Sequence, residues 1–418
     1  VKTVRVTPVT GPLKGAITLP GSKSITNRAL LMAGLARGTS RLTGALKSDD
    51  TRHMATALRA MGVTVDEPDA TTFVVTATGR LDAPKAPLFL GNAGTAMRFL
   101  TAAVAFADGK VVLDGDAHMR KRPIGPLVDS LRALGVEAFA EGGRPPVTVE
   151  GGRGFTGARV EIDAGLSSQY VSALLMASAR AAAPVEVALK GADIGARGYV
   201  DLTIAAMRRF GATVDALEGR PAWRVHPTGY TATDFAVEPD ASAATYPWAA
   251  EVLTGGAIDL GLSPRAFTQP DAKAWDVMRM FPRMPALIDG SQMQDAVPTL
   301  AVVAAFNQTP VRFTGIANLR VKECDRIRAV ADGLNAISPG LATEEGDDLV
   351  IASDPTLAGK ARPARIDVHA DHRIAMAFAL AGLKVGGVVI EDPAATSKTW
   401  PEYWDVLAGL GVGLEFEG

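Results

Sequence analysis

The sequence predicts an α/β (α+β) protein built as two similar domains, each of three strand-and-helix units, and three observations carry that expectation. A helical pattern that ends in Gly recurs: Ala57-Leu58-Arg59-Ala60-Met61-Gly62-Val63, then Ser130-Leu131-Arg132-Ala133-Leu134-Gly135-Val136, then Ala206-Met207-Arg208-Arg209-Phe210-Gly211-Ala212. Each copy leads into a strand-like run, at Thr72-Phe73-Val74-Val75, Pro146-Val147-Thr148-Val149 and Ala222-Trp223-Arg224-Val225. Weaker copies end near Met280, near Ile337 and at Leu410-Gly411-Val412. A period of about 70 residues is longer than the usual solenoid unit, so six units point to domains rather than an open stack. The terminal Gly supplies the left-handed position that closes a helix. At 418 residues the chain also exceeds one ordinary core. The expected crossings are Leu19-Pro20-Gly21 and Phe235-Ala236-Val237-Glu238-Pro239, giving domains 1–20 plus 237–418, and 21–236.

Bulk properties narrow the function classes. Hydrophobic residues make up 47% and charged residues 21%, as in a globular protein with ample core. A net charge of −2 argues against nucleic acid or an anionic membrane as partner, so any basic site must be local. The single cysteine, Cys324, excludes an intramolecular disulfide and a cysteine-built zinc site, and fits a reducing compartment. The first residues carry no apolar signal core, and no apolar run reaches membrane-spanning length. A cytoplasmic protein is expected.

The motifs share one theme, a polar or basic loop that opens a helix. In Pro20-Gly21-Ser22-Lys23-Ser24-Ile25-Thr26-Asn27-Arg28, Ser22 or Ser24 caps an apolar helix. Free N–H groups there, with Lys23, make an anion site that Arg28 faces one turn later. It is not a Walker loop, because Ser22 stands where that motif requires Gly. Gly91-Asn92-Ala93-Gly94-Thr95-Ala96-Met97-Arg98 is a second such loop, with Asn92 and Thr95 as donors and a helix over 97–106. Arg120-Lys121-Arg122-Pro123 brings three cations to a helix start, with Pro123 expected at its first position. Asp163-Ala164-Gly165-Leu166-Ser167-Ser168-Gln169-Tyr170 offers two hydroxyls and an amide, suited to a phosphate or polyol, and Tyr199 is a candidate ring platform.

In the second half, Asp295 precedes an apolar helix over 297–306, as its N-cap or as a base. In Asn318-Leu319-Arg320-Val321-Lys322-Glu323-Cys324-Asp325-Arg326, a helix starting near Lys322 places Lys322 and Arg326 on one face. A phosphorylated substrate lying against both leaves Glu323 placed to move a proton. Asp371-His372-Arg373 opens a helix over 374–383, with His372 between two charged neighbours, and Thr396-Ser397-Lys398-Thr399 opens the last. No spacing suggests a metal, and no Gly-x-Ser-x-Gly elbow occurs.

The order of these motifs resembles the 5-enolpyruvylshikimate-3-phosphate (EPSP) synthase family, the target of glyphosate, nearly end to end. The resemblance implies two domains of three βαβαββ units, with helix N-termini facing the interdomain cleft. It implies transfer of the enolpyruvyl group of phosphoenolpyruvate to the 5-hydroxyl of shikimate-3-phosphate, releasing phosphate by addition and elimination, with domain closure, no cofactor and a monomeric state. It assigns Lys23, Ser24, Arg28, Ser167, Ser168, Gln169, Tyr199, Asp295, Asn318 and Lys322 to shikimate-3-phosphate. It assigns Lys23, Asn92, Gly94, Thr95, Arg122, Gln169, Arg326, Arg373 and Lys398 to phosphoenolpyruvate or glyphosate. The chemistry would fall to Asp295 as base on the hydroxyl and Glu323 as acid–base at C3, with Lys322, Lys23 and His372.

Two positions depart from the family pattern. Ala196 stands where many members carry a phosphate-contacting Ser, and Phe99 stands where Pro or Leu is frequent; Gly94, rather than Ala, favours glyphosate sensitivity. Two alternatives are weighed. The sister transferase acting on UDP-N-acetylglucosamine uses a loop Cys in the first lobe, which the 120–125 loop lacks. A catalytically silent anion-binding homologue is opposed by the joint presence of Asp295, Lys322, Glu323 and His372.

Overall fold

The computed structural model describes residues 2–163, 165, 167–191 and 195–418. Ala164 and Leu166, within the loop that precedes Ser167, lie outside the described residues. The chain divides into two compact units, one of Val1–Pro20 with Asp240–Gly418, the other Gly21–Pro239.

One sheet pattern recurs through both units. In Gly21–Pro239, strand Leu88–Phe89 runs parallel to Lys110–Asp114, which pairs antiparallel with Val147–Glu150, and that with Ala138–Ala140. The same order, one parallel step and then two antiparallel ones, joins Arg159–Ile162, Val185–Leu189, Ala222–Val225 and Val214–Ala216. It joins Tyr230–Thr231, Ala36–Thr43, Thr72–Thr78 and Thr64–Asp69 as well. In the other unit, Leu287–Asp289, Val311–Thr314, Asp348–Ile351 and Ala342–Glu345 repeat it. So do Ala361–Ile366, Gly386–Glu391, Thr3–Val6 and Leu414–Glu417, where the first strand of the chain completes a sheet made by its last residues. A sixth copy is reduced to the parallel pair Lys14–Ala16 and Ala257–Asp259.

The recurring Gly has a structural reason. Helix Asp49–Ala60 ends in a Schellman motif, in which Gly62 N–H donates to Arg59 C=O at 3.1 Å and Val63 N–H to Leu58 C=O at 3.1 Å. Gly135 with Val136, Gly211 with Ala212, and Gly411 with Val412 make the same pair of bonds. Each of these glycines has φ between 84° and 93°, the left-handed region that a side chain resists. Three copies share a further tie: Arg59, Arg132 and Arg208 each donate to the backbone carbonyl six residues on, at Val65, Ala138 and Val214. That bond stitches the outer helix to the strand that follows it.

Helices fall into two sets. Lys23–Leu35, Gly94–Ala103 and Ser168–Ser178 are buried almost all round in one unit, as are Ala241–Thr254, Val297–Ala304 and His372–Gly382 in the other. Because small residues such as Ala29, Ala33, Ala96 and Ala102 let helices approach closely, these form the centre of each core. Asp49–Ala60, Arg197–Arg209 and Arg326–Ile337 are amphipathic and cover the outside. The polar loops identified from the sequence therefore open helices whose remaining length is fixed in a core.

Candidate active site

Within Gly21–Pro239, the Lys23 helix is capped by Ser22, whose Oγ accepts from Ile25 N–H at 3.3 Å; of the two serines considered, it is Ser22 that caps. A Cβ on Gly21 would meet Gly44 C=O at 2.1 Å, so only Gly fits where this loop enters. Arg28 is buried, 1% exposed. It donates to Thr203 Oγ1 at 2.7 Å, Ser24 C=O at 2.8 Å, Ser172 Oγ at 3.4 Å and Tyr199 C=O at 3.5 Å. Its guanidinium carbon also lies 5.0 Å from the Phe99 ring centroid and 5.8 Å from that of Tyr199. Burial pushes the Arg28 pKa down to about 10, with Tyr199 opposing. Hydroxyls and carbonyls hold this cation, and among the described residues no carboxylate pairs with it, so it retains capacity for an anion.

The second loop starts its helix at Gly94, three residues earlier than expected, and its last turn, Val104–Phe106, is a 3₁₀ helix. Arg122, 6% exposed, turns onto this loop and donates to Asn92 Oδ1 at 3.1 Å and Asn92 C=O at 3.4 Å. Of its basic neighbours, Arg120 faces solvent and pairs with Asp114 at 2.6 Å. The expected place of Pro123 is corrected: the helix is Gly125–Ala133, and Pro126 occupies its first turn. Ser167 caps helix Ser168–Ser178 through Gln169 N–H at 3.1 Å. The Gln169 side chain spans two loops, donating to Thr95 Oγ1 at 3.2 Å and accepting from Arg98 at 2.9 Å. Tyr170 OH donates to Pro123 C=O at 2.7 Å and so links this helix to the Arg122 segment. Ala196, at φ 59°, occupies the N-cap of helix Arg197–Arg209 without a capping side chain; a left-handed Ala is strained relative to Gly or Asn.

The other unit gathers six charged side chains. Arg326, 2% exposed, donates from Nε to Asp371 Oδ2 at 2.7 Å, from Nη2 to Glu323 Oε2 at 2.7 Å and from Nη1 to Asp295 Oδ1 at 3.0 Å. Arg373 reaches Asp295 Oδ2 at 3.1 Å, and Lys398 Nζ reaches Glu323 Oε1 at 2.7 Å. Burial opposes the charge on Arg326, but Asp371, Glu323 and Asp295 outweigh it and push its pKa up. Arg373 is held charged in the same way, against burial, by Asp295, Tyr246, Asp240 and Asp271. An anion that reaches Arg326 or Arg373 competes with Asp295 for the same N–H groups.

Local chain geometry corrects two expectations here. Asp295 is no helix cap: it lies in the 3₁₀ turn Gln294–Ala296, and Ala296 precedes helix Val297–Ala304. Lys322 does not share a helix face with Arg326. Residues Ala317–Val321 form a 3₁₀ turn that Lys322 ends, and helix Arg326–Ile337 begins after its cap Asp325, which accepts from Arg328 N–H at 3.1 Å. Asn318 donates to Gln294 Oε1 within this region. Asp371 accepts from Arg373 N–H at 2.9 Å and caps helix His372–Gly382, which puts the His372 ring, fully buried, at its first position. Burial and then Asp371 push the Cys324 thiol well above the usual range; its Sγ lies 3.5 Å from Asp371 Oδ2.

Sequence reasoning assigned no site role to Asp371, Arg98, Thr203, Ser172 or Gln294. Asp371 carried the one usable signal, an Asp directly before a helix. Among the described residues, no group of three or more His, Cys, Asp or Glu is placed to hold a metal ion, and no helix is long and apolar enough to cross a membrane.

Short sheets of one repeated pattern, with basic and hydroxyl-bearing loops at the starts of buried helices, make an α/β scaffold suited to holding small anions. The chain belongs to the EPSP synthase family: the model for EPSP synthase (3-phosphoshikimate 1-carboxyvinyltransferase) matches residues 8–284 and 268–407. It is 70% identical over 401 residues to the 3-phosphoshikimate 1-carboxyvinyltransferase of Rhizobium leguminosarum bv. trifolii, covering 96% of this chain and 95% of that one. It is 66% identical over 413 residues to the protein of that name from Pseudomonas syringae pv. syringae, covering 99% of each. Among solved structures, EPSP synthase from Acinetobacter baumannii matches with a TM-score of 0.79 and 26% identity over the whole of both chains.

Proposed function

We propose that this chain transfers the enolpyruvyl group of phosphoenolpyruvate to the 5-hydroxyl of shikimate-3-phosphate, releasing phosphate. Membership of the EPSP synthase family supports the reaction. The observation that carries the chemistry is the cluster of Asp295, Glu323 and Asp371 with Arg326, Arg373 and Lys398.

In the unit Gly21–Pro239 we assign Lys23, Ser24, Arg28, Ser167, Ser168, Gln169 and Tyr199 to shikimate-3-phosphate. Asn92, Gly94, Thr95 and Arg122, again with Lys23 and Gln169, are assigned to phosphoenolpyruvate. In the other unit Asp295, Asn318 and Lys322 take the first substrate, and Arg326, Arg373 and Lys398 the second. The 5-hydroxyl oxygen bonds to C2 of phosphoenolpyruvate as C3 takes up a proton, and Asp295 receives the hydroxyl proton. The C2–O bond to phosphate then breaks as a C3 proton leaves. Glu323, whose Oε1 lies 2.7 Å from Lys398 Nζ, is assigned to C3 from its place in the family motif, assisted by the adjacent Lys322. Arg326, Arg373 and Lys398 offset the phosphate charge as it departs. His372, fully buried with Nδ1 3.7 Å from Asp371 Oδ1, and Lys23 are assigned with them to the chemistry. We further assign the protein to the cytoplasm, acting as a monomer.

The deciding experiment is phosphate release from phosphoenolpyruvate with shikimate-3-phosphate, run beside UDP-N-acetylglucosamine. Release that depends on shikimate-3-phosphate is expected. Release only with the nucleotide sugar, or binding of shikimate-3-phosphate without any release, would overturn the proposal.

A further inference from the structure

A cavity of about 780 Å³ opens in the unit Gly21–Pro239, between helix Asp49–Ala60 and the segment 82–89. It shares no lining residue with the clusters assigned above, and its volume falls within the range of small-molecule sites. Its charge is mainly positive: Arg52, Arg59 and Lys85 line it against the single carboxylate of Asp82. Arg59 is committed, donating to Val65 C=O at 2.6 Å and Glu67 at 2.9 Å. Arg52, whose ion-pair partner among the described residues is the half-exposed Asp49, and the exposed Lys85 keep their charge available to a ligand.

Beside these cations stands an aromatic wall. Phe89 is 59% exposed, unusual for so large an apolar ring, and it meets His53 edge-on at 6.1 Å and 71°. Burial lowers the His53 pKa below the usual imidazole value, so the ring faces the cavity uncharged near neutrality. A ligand with a flat ring gains on the open side of Phe89, and a carboxylate gains at Arg52 and Lys85.

His53 also closes directly on the loop that Arg122 contacts. A Cβ on Gly91 would come within 2.5 Å of His53 Nε2, and Gly91, at φ 52°, accepts from Asp116 N–H at 3.1 Å. The next residue, Asn92, receives two hydrogen bonds from Arg122. An imidazole pushed toward Gly91 meets that backbone one residue before the Asn92 that Arg122 holds.

We propose that this cavity is a second ligand site, for a small aromatic carboxylate, whose occupancy acts through His53 on the Gly91 loop. The effect on turnover rests on the assignment of Asn92, Gly94 and Arg122 to phosphoenolpyruvate; the binding does not.

The test uses the full chain with ring-labelled histidine and benzoate as the probe, beside cyclohexanecarboxylate, which lacks the aromatic face, and benzyl alcohol, which lacks the charge. Benzoate is expected to shift the His53 ring resonances and to change KM for phosphoenolpyruvate about fivefold, a common size of coupling between sites. The other two probes bind at least about tenfold more weakly. The double variant Lys85→Ala with Phe89→Ala keeps basal turnover and loses the benzoate response. No His53 shift, equal binding of all three probes, or an undiminished shift in the double variant would overturn the site. Full binding with an unaltered KM would overturn its action on the loop. If turnover with shikimate-3-phosphate is absent, the His53 shift still reads the cavity, so the two proposals fail separately.

Discussion

Arg326 donates its Nε to Asp371 Oδ2 at 2.7 Å, and both side chains are sealed from water, at 2% and 0% exposure. The carboxylate that neutralises this buried guanidinium also caps the helix bearing Arg373, through Arg373 N–H at 2.9 Å. One side chain thus sets the position of two cations on different helices. An ion pair so placed contributes little against an apolar replacement, but breaking it leaves a buried charge short of its partner.

Asp371→Asn tests that linkage. Glu323 and Asp295 still contact Arg326 in the variant, so the loss is expected at the lower end for a broken buried pair, about 3 kcal/mol. Urea unfolding reads it as a lowered midpoint, and KM for phosphoenolpyruvate should rise through misplaced Arg326 and Arg373. An unchanged midpoint would show that the other two carboxylates suffice.

Glu323→Gln separates chemistry from binding. The amide keeps the size of the carboxylate and one acceptor oxygen for Arg326 or Lys398, but it exchanges no proton. Turnover should fall about 10²- to 10⁴-fold, the usual worth of a positioned acid–base group, while both KM values stay within a few-fold of the parent. Unchanged turnover would remove Glu323 from the reaction.

Gly94→Ala acts by collision. A Cβ there lies 2.6 Å from both Nη1 and Nη2 of Arg122, closer than any carbon–nitrogen contact allows, so the guanidinium must move. KM for phosphoenolpyruvate is expected to rise about tenfold, equivalent to about 1.4 kcal/mol, with weaker inhibition by glyphosate and an unaltered KM for shikimate-3-phosphate. Equal changes in both KM values would mean that the substitution disturbs the whole unit instead.

What the sequence made legible was local. Ser22, Ser167 and Asp371 announce helix starts because an N-cap side chain bonds its own backbone two or three residues on. Gly62, Gly135 and Gly211 announce helix ends for an equally local reason, and together they expose the repeat. Partnerships across the chain left no such trace. Arg28 meets Thr203 across 175 residues, Arg98 meets Gln169 across 71, and Arg326 meets Asp371 across 45. Lys322 was misplaced because spacing alone does not reveal that Asp325, rather than a residue before Lys322, caps the helix. The cavity beside Phe89 had no motif at all, since its lining comes from one helix face and the short strands and turn of 82–89.

Phe99→Leu decides how the departure from the family pattern acts. The ring is buried in helix Gly94–Ala103, and the Arg28 guanidinium carbon sits 5.0 Å from its centroid. Desolvated, such a cation–π contact is worth about 2 kcal/mol, a meaningful share for a guanidinium whose pKa burial has already pushed down to about 10. The sign is simple: Arg28 stays charged through neutral pH, because the folded value, though lowered, lies above it. Leucine removes the π face and leaves a gap, so Arg28 should loosen and KM for shikimate-3-phosphate should rise several-fold, with KM for phosphoenolpyruvate nearly unchanged. The competing route runs along the helix, five residues back from Phe99 to Gly94, and predicts the reverse: an altered KM for phosphoenolpyruvate and altered glyphosate inhibition. The structure favours the Arg28 route, because the ring contacts Arg28 itself while the main chain between Phe99 and Gly94 is regular helix. Steady-state kinetics on one variant, with each substrate varied in turn, distinguishes the two.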